Sequence, residues 1–182
     1  MKGINKITTF FLMGIALFSS CIEDQDFDQY DDLALEPVLE ASILYVEAPE
    51  RVINLATATN FYTEDFNFDA FSADVFADRV IDGSITYIVT NTTSKELEVS
   101  IQFLDEGANV LDTENFTIAP APTAVLQREI AYGGTGRSID IIRNTSSIRV
   151  SALNLGDTTS TSNLPDPKVT LQSSGKFRVE IK

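Results

Sequence analysis

The sequence predicts an all-β, antiparallel fold of about eight strands. Two observations carry this. Beyond residue 37 hydrophobicity alternates with a period of two, and turn-forming clusters recur every ~8–12 residues. The pattern fits an antiparallel sandwich or barrel and not a βαβ fold, whose strands would alternate with long helical stretches.

The first strand falls at 43–48, where Ile43, Tyr45 and Glu47 alternate with Leu44, Val46 and Ala48. The clearest is Val80–Asn91, with Ile81, Ile85, Tyr87 and Val89 on one side and Asp82, Ser84, Thr86 and Thr90 on the other. Asn91-Thr-Thr-Ser-Lys95 reads as a turn. Leu97, Val99, Ile101 and Phe103 then alternate with Glu96, Glu98, Ser100 and Gln102, which predicts one buried face. Asp105–Asn109 supplies a hairpin turn, and Val110–Ile118 returns until Pro120 and Pro122 stop it. Ala124–Tyr132 and Ile148–Leu155 follow. After the polar loop Gly156–Pro167, a closing hairpin is expected, with Val169 and Leu171 in one arm, Ser173-Ser-Gly175 at the turn, and Phe177, Val179 and Ile181 in the other. Two short stretches carry helical features: Ser72–Val80, with Ser72 able to cap, and Ser138–Arg143 after a glycine loop.

Asn91–Ile130 contains a strand ending in Asn, a turn, Val-Ser-Ile-Gln-Phe-Leu-Asp-Glu-Gly at 99–107, a second strand and a proline-rich turn. It resembles the hairpin of FxLyD-type and related immunoglobulin-like modules of bacterial envelope proteins. The likeness covers 40 of the 182 residues. It implies an immunoglobulin-like β-sandwich over 38–182 and no activity.

The N-terminus has a different character. Lys2 and Lys6 precede an apolar run, Ile7 to Phe18, broken only by Thr8, Thr9 and Gly14. At about a dozen residues it suits the core of an export signal and falls short of the ~18–20 needed to span a bilayer. Cys21, the only cysteine, follows Ser19 and Ser20, so no disulfide can form within one chain. Leu17-Phe18-Ser19-Ser20-Cys21 resembles a lipobox, with Phe18 where an aliphatic residue is usual and Ser20 as in the Bacteroidota variant. The resemblance implies a signal peptide over 1–20, cleavage before Cys21 and diacylglycerol on its thiol, with palmitate as an expected acyl group. In style the whole chain also resembles the small, uncharacterised lipoproteins of flavobacteria.

Removing residues 1–20 from the 182 leaves 162, enough for one domain without a metal or disulfide staple. The loss of Lys2 and Lys6 lowers the bases from 13 to 11 against 27 acids, a net charge of −16. That charge repels phosphate backbones and anionic headgroups, so no nucleic-acid partner is expected and membrane attachment falls to acyl chains. From Ile22 to Pro37 there are seven acids and no base, a composition that buries too little apolar surface to order itself. Residues 21–37 therefore read as a tether. Glu23 and Asp24, beside the lipidated cysteine, resemble the signal that carries Bacteroidota lipoproteins to the cell surface, although Ile22 departs from the usual Lys or Ser. The expected location is the outer membrane, lipid-anchored and outward-facing, the alternative being periplasm-facing.

No histidine is present, which removes Ser-His-Asp triads, Cys-His pairs and His-ligated metals. The remaining catalytic chemistries are carboxylate pairs, Ser-Lys and Tyr. Carboxylate pairs such as Asp74/Asp78 are common at this acid content, and with no Trp for a polysaccharide platform the chain is read as no enzyme, with no cofactor. Asp24-x-Asp26-x-Asp28 and Asp65-x-Asn67-x-Asp69 have the oxygen density for calcium, but neither has Gly at the sixth position or Glu at the twelfth. The expected reading of both is solvated acids, with no metal site. Phe61, Tyr62, Phe66, Phe68, Phe71 and Phe76 lie within sixteen residues. They read first as a loop plugging one end of the sandwich. The first five serve otherwise as a surface for a protein partner, an outer-membrane protein. Gly133-Gly-Thr-Gly-Arg137 lacks the rest of a phosphate cradle and reads as a β-connection. Asp157-Thr158-Thr159 resembles the Bacteroidota O-glycosylation sequon, with Thr158 the acceptor. The sequence reading is thus a non-catalytic envelope lipoprotein in a structural or protein-interaction role, with a calcium- or glycan-binding lipoprotein as the alternative.

Overall fold

The computed structural model describes residues 35–56, 60–121 and 124–181. Cys21, Glu23, Asp24 and the rest of 1–34 lie outside them. Eight strands form two four-stranded antiparallel sheets. They are β1 (Val38–Pro49), β2 (Asn60–Asn67), β3 (Val80–Asn91), β4 (Leu97–Leu104), β5 (Val110–Ile118), β6 (Ala124–Tyr132), β7 (Ser147–Asn154) and β8 (Lys168–Val179). Four short helices lie in the connections: α1 (Glu50–Leu55), α2 (Asp69–Ser72), α3 (Asp74–Ala77) and α4 (Ile139–Arg143).

The first sheet runs β1-β8-β3-β6 and the second β2-β7-β4-β5. The eight-stranded antiparallel sandwich is as the sequence predicts. The strand order departs from the immunoglobulin-like one, in which several consecutive strands are neighbours in one sheet. Here only β4 and β5 form such a hairpin, and every other connection crosses between sheets. This is the order of a jelly roll. A period-two pattern shows which face of a strand is buried but not which sheet it joins.

The core lies between the sheets. From β3 come Ile85, Tyr87 and Val89, and from β8 Leu171 and Phe177; facing them are Leu97, Val99, Ile101 and Phe103 of β4 and Ile148 and Val150 of β7. Two aromatic pairs cross the layer, Tyr87 with Phe116 at 5.4 Å and Phe103 with Tyr132 at 6.2 Å between ring centroids. The four β4 residues share one buried face, as expected. In β3 the expected phase fails at one point. Val80 is fully buried and Ile81 only partly, because the register with β8 shifts between Val80 and Asp82. Such a bulge inserts one residue and turns the residues before it to the other face.

Three elements differ from expectation. The closing hairpin does not exist, since Ser173-Ser-Gly175 runs straight through β8, which pairs with β1 on one side and β3 on the other. Inward positions continue unbroken through Val169, Leu171, Ser173, Gly175, Phe177 and Val179. A side chain at 175 would meet the Phe177 ring at 2.6 Å, so Gly175 makes room for that ring and does not turn the chain. Second, β2 occupies part of the aromatic-acidic segment read as a loop. Third, α1 follows β1 directly, with Pro49 at its N-cap. The two anticipated helical stretches both contain helix, and Ser138 caps α4 by accepting from the Asp140 amide at 3.2 Å.

The Tyr87 hydroxyl is buried with no hydrogen-bond partner among the described residues. Burial pushes the Tyr87 phenol far above its ordinary pKa. An unpaired buried hydroxyl costs ~1–3 kcal/mol, whereas an emptied core position costs ~2–5 kcal/mol. Tyr87→Phe should therefore leave urea stability unchanged or raise it by about 1 kcal/mol, and Ile101→Ala should lower it by ~2–5 kcal/mol. A large loss in Tyr87→Phe would mean that the hydroxyl has a partner.

Candidate functional site

The two ends of the sandwich differ. At one end lie α2, α3, α4 and the β4–β5 hairpin, and there Leu35 bridges Ile181. This is also where Phe68, Phe71 and Phe76 of the aromatic cluster pack. Phe71 is buried, stacked on Phe76 at 5.4 Å and edge-on to Phe68 at 4.4 Å and Phe177 at 5.4 Å. Phe61, Tyr62, Phe66 and Phe68 are partly buried against the core. Of the five rings named as a partner surface, Phe68 and Phe71 pack into this plug, while Phe61 and Tyr62 lie at the start of β2, towards the other end, against Val46, Val99 and Ala152.

The opposite end is organised by the turn between β3 and β4. Asn91 is fully buried; its amide donates to the carbonyls of Lys95 and Ala119 at 2.7 and 2.9 Å, while its oxygen accepts from the Thr93 amide and hydroxyl. The Lys95 side chain has no exposed surface. Its ammonium donates to Asp157 Oδ1 at 2.8 Å, to the Ser160 carbonyl at 2.8 Å and to Ser160 Oγ at 2.5 Å. Ser160 Oγ lies 3.0 Å from Ser94 Oγ, which donates to Glu50 Oε1 at 2.6 Å. The other Glu50 oxygen accepts the Ser162 amide at 2.8 Å. Burial pushes the Glu50 carboxyl up, but the Ser94 hydroxyl, the Ser162 and Ser94 amides and the nearby Lys95 outweigh it and hold the pKa below its ordinary value.

This constellation brings Ser and Lys together, one of the catalytic pairings the composition leaves open. Its geometry suits a structural role. A lysine base needs a free lone pair, and all three Lys95 protons are donated. Ser94 donates to Glu50, which orients the whole chain of hydroxyls. The sequence marks 91–95 as a turn but carries no sign that its lysine is buried.

A second cluster joins the edge strands β5 and β6. Arg137 pairs with Asp112 at 2.5 Å and with the buried Glu114, and Arg128 reaches Glu114 at 3.2 Å while lying 4.8 Å above the Phe116 ring. The Tyr132 hydroxyl donates to Asp112 at 3.3 Å. Arg137 ends the glycine loop, whose Gly133 and Gly134 take φ of +78° and +55°. The loop therefore aims a guanidinium at two carboxylates of its own chain.

The remaining site expectations fall as follows. Asp65 lies on β2 and is held in two-pronged fashion by Arg149 at 2.7 Å to each oxygen. Calcium at 65–69 would have to displace that arginine. No group of three or more acidic or thiol side chains among the described residues could hold a metal ion. Asp24, Asp26 and Asp28 lie outside them. Thr158 is exposed, and the preceding Asp157 carboxylate is taken up by Lys95 and by the amides of Thr159 and Ser160.

No family model matches this chain, and no curated protein does. Similar solved structures include the infectious bursal disease virus VP2 subviral particle, at 11% identity over 82% of this chain and 33% of that one, with a TM-score of 0.35. Bacillus endospore appendages, a family of disulfide-linked pili, share 9% identity over 79% and 89% of the two chains at 0.35. Turnip yellow mosaic virus shares 7% over 82% of each chain, also at 0.35. This chain spans about a third of the bursal disease virus chain it matches. These likenesses concern the fold alone, and no activity passes from them to this protein.

Lys95, beside the amides of Ser160 and Thr159, holds the Asp157 carboxyl well below the usual carboxylate range. A carboxyl whose pKa falls on folding stabilises the fold above its unfolded value of about 3.9, and that contribution is lost as pH falls through the folded value. Asp157→Asn should be less stable than the parent at pH 7, and the gap should close as urea midpoints are followed towards pH 2. A gap that stays constant would mean that the ionised form of Asp157 is not what stabilises the loop.

Proposed function

We propose that this protein is a non-catalytic lipoprotein of the bacterial cell envelope that holds a jelly-roll domain on an acidic tether at the outer membrane, where it serves a structural or protein-interaction role. The observation that carries the reading is Leu17–Cys21: an apolar run ends in small residues before the only cysteine of the chain. No helix among the described residues is long and apolar enough to cross a membrane. A lipid on Cys21 supplies an anchor of another kind, and two or more acyl chains hold stably. Thirteen residues separate Cys21 from Leu35. At ~3.3–3.6 Å per residue they allow the domain a reach of up to about 45 Å from the lipid surface. The tether enters the domain at Leu35, which bridges Ile181 at the end of the sandwich opposite Lys95. The non-catalytic reading rests on the absence of histidine and on the engagement of all three Lys95 protons.

Two experiments test the anchor and the address. Cys21→Ser should release the protein from the outer-membrane fraction; unchanged fractionation would overturn lipid anchoring. Lipidation alone does not choose a side of the membrane, so that choice falls to peptide near the cysteine. Glu23 and Asp24 are the acids nearest to it, and they serve here as a surface-export address. Changing both to Ala should keep the domain folded and lipidated but protect it from protease added to intact cells, which should remove the wild-type domain. Equal protection of both proteins would return the tether to a plain spacer and the lipoprotein to the periplasmic side.

A further inference from the structure

We infer that the outer face of the first sheet binds a neutral saccharide chain, with Tyr45 as its stacking platform. Where β1, β8 and β3 lie side by side, they form an open groove of about 540 Å³ whose solvent-facing lining is Ser42, Tyr45, Thr86, Ile88, Gln172 and Ser174, with Ile43, Leu44 and Ser173 contributing from β1 and β8. That volume is within the ~300–1,000 Å³ of small-molecule sites. The register sets the lining in two adjacent rows. Tyr45 stands opposite Gln172 and Gln172 opposite Ile88; Ser42 stands opposite Ser174 and Ser174 opposite Thr86.

Tyr45 is 59% exposed. Its hydroxyl donates to Glu47 at 2.9 Å, and Glu47 accepts from Lys168 at 3.0 Å, so the far end of the ring is fixed before any ligand arrives. Preorganisation of this kind lowers the entropy lost on binding. The side chains of Ser42, Thr86, Gln172 and Ser174 form no hydrogen bond with another described residue and remain free to make one.

The chemistry of the lining selects the ligand. Apart from the Tyr45 phenol, no ionisable side chain lines the groove, in a chain where 22% of residues are charged. An ionic ligand would find no counter-charge there. A wholly apolar ligand would cover the amide and hydroxyls without pairing them. A pyranose ring meets both demands, because its C–H face stacks on an aromatic ring while its hydroxyls exchange bonds with the glutamine amide and the serine and threonine hydroxyls. The groove is open along the sheet, which suits an extended chain of such rings. This inference does not require the lipid anchor, and its test reads binding alone.

The experiment is isothermal titration of the full chain, in a detergent without a sugar headgroup, against cellohexaose, laminarihexaose, mannohexaose and maltohexaose, with hexagalacturonate as the charged control. At least one neutral hexasaccharide should bind with Kd below about 1 mM, and the charged one about ten-fold more weakly or worse. Tyr45→Ala should weaken the neutral ligand about ten-fold or more. Tyr45→Phe, which keeps the ring and frees Glu47, should stay within about three-fold of the parent. Circular dichroism checks that both variants fold. The inference is overturned if all four neutral probes fail to bind, if hexagalacturonate binds as well as they do, or if folded Tyr45→Ala binds undiminished. Capture of an extended apolar peptide by the same face in place of any saccharide would also overturn it.

Discussion

The ammonium group of Lys95 is the constraint on which the far end of the sandwich depends. Removing a lysine charge from water costs several kcal/mol unless the charge is paired and all its protons are placed. Here one carboxylate, one carbonyl and one hydroxyl take the three protons, and all three acceptors belong to the loop between β7 and β8. The same turn binds the connection after β5 through Asn91 and Ala119, and reaches α1 through Ser94 and Glu50. Thr92 exchanges hydrogen bonds with the Lys168 backbone at the start of β8. Connections remote in sequence thus converge on five residues. A hydrophobic residue at 95 would fill the space but leave Ser160 Oγ without its donor and the Ser160 carbonyl with the Asn54 amide alone.

The sides of the sandwich are treated differently from its ends. A sheet edge is a hazard because its free amides and carbonyls invite another strand. Between β5 and β6 that hazard is met with charge, as Arg128 and Arg137 span from one sheet to the acids of the other. Across the described domain, Lys95, Arg128, Arg137, Arg143, Arg149, Lys168 and Arg178 each hold an acid. With most bases consumed internally, the surplus acids give the surface its negative field. That field discourages self-association and leaves an uncharged groove as an exception on the outer face.

What could be read from the sequence follows from where side-chain periodicity has meaning. The bounds of β3, β5 and β6 and the buried face of β4 were legible, because each strand has one wet and one dry face and, beyond the bulge at the start of β3, β3 and β4 alternate steadily. Ser173-Ser-Gly175 misled because the residue types of a turn also suit a strand interior when a neighbouring ring, here Phe177, needs space. β2 was hidden because it is an edge strand with acids on it, such as Asp65, whose partner Arg149 lies 84 residues away. The Lys95 network was illegible for the same reason: a buried lysine is recognised by its acceptors, and those stand more than 60 residues further along. The Tyr45 groove is assembled from three strands that are not consecutive, so no local pattern announces it.

The position of β8 between β1 and β3 governs when the domain can form at all. Neither β1 nor β3 is bonded to the other, so the first sheet has no central strand until residues 168–179 have been made. The second sheet likewise waits for β7 to join β2 to β4. Contacts of such sequence separation form slowly, because loop closure precedes any gain from pairing. An emerging chain of this design can pair β3 with β6 and β4 with β5, but it completes neither sheet until its last two strands are delivered.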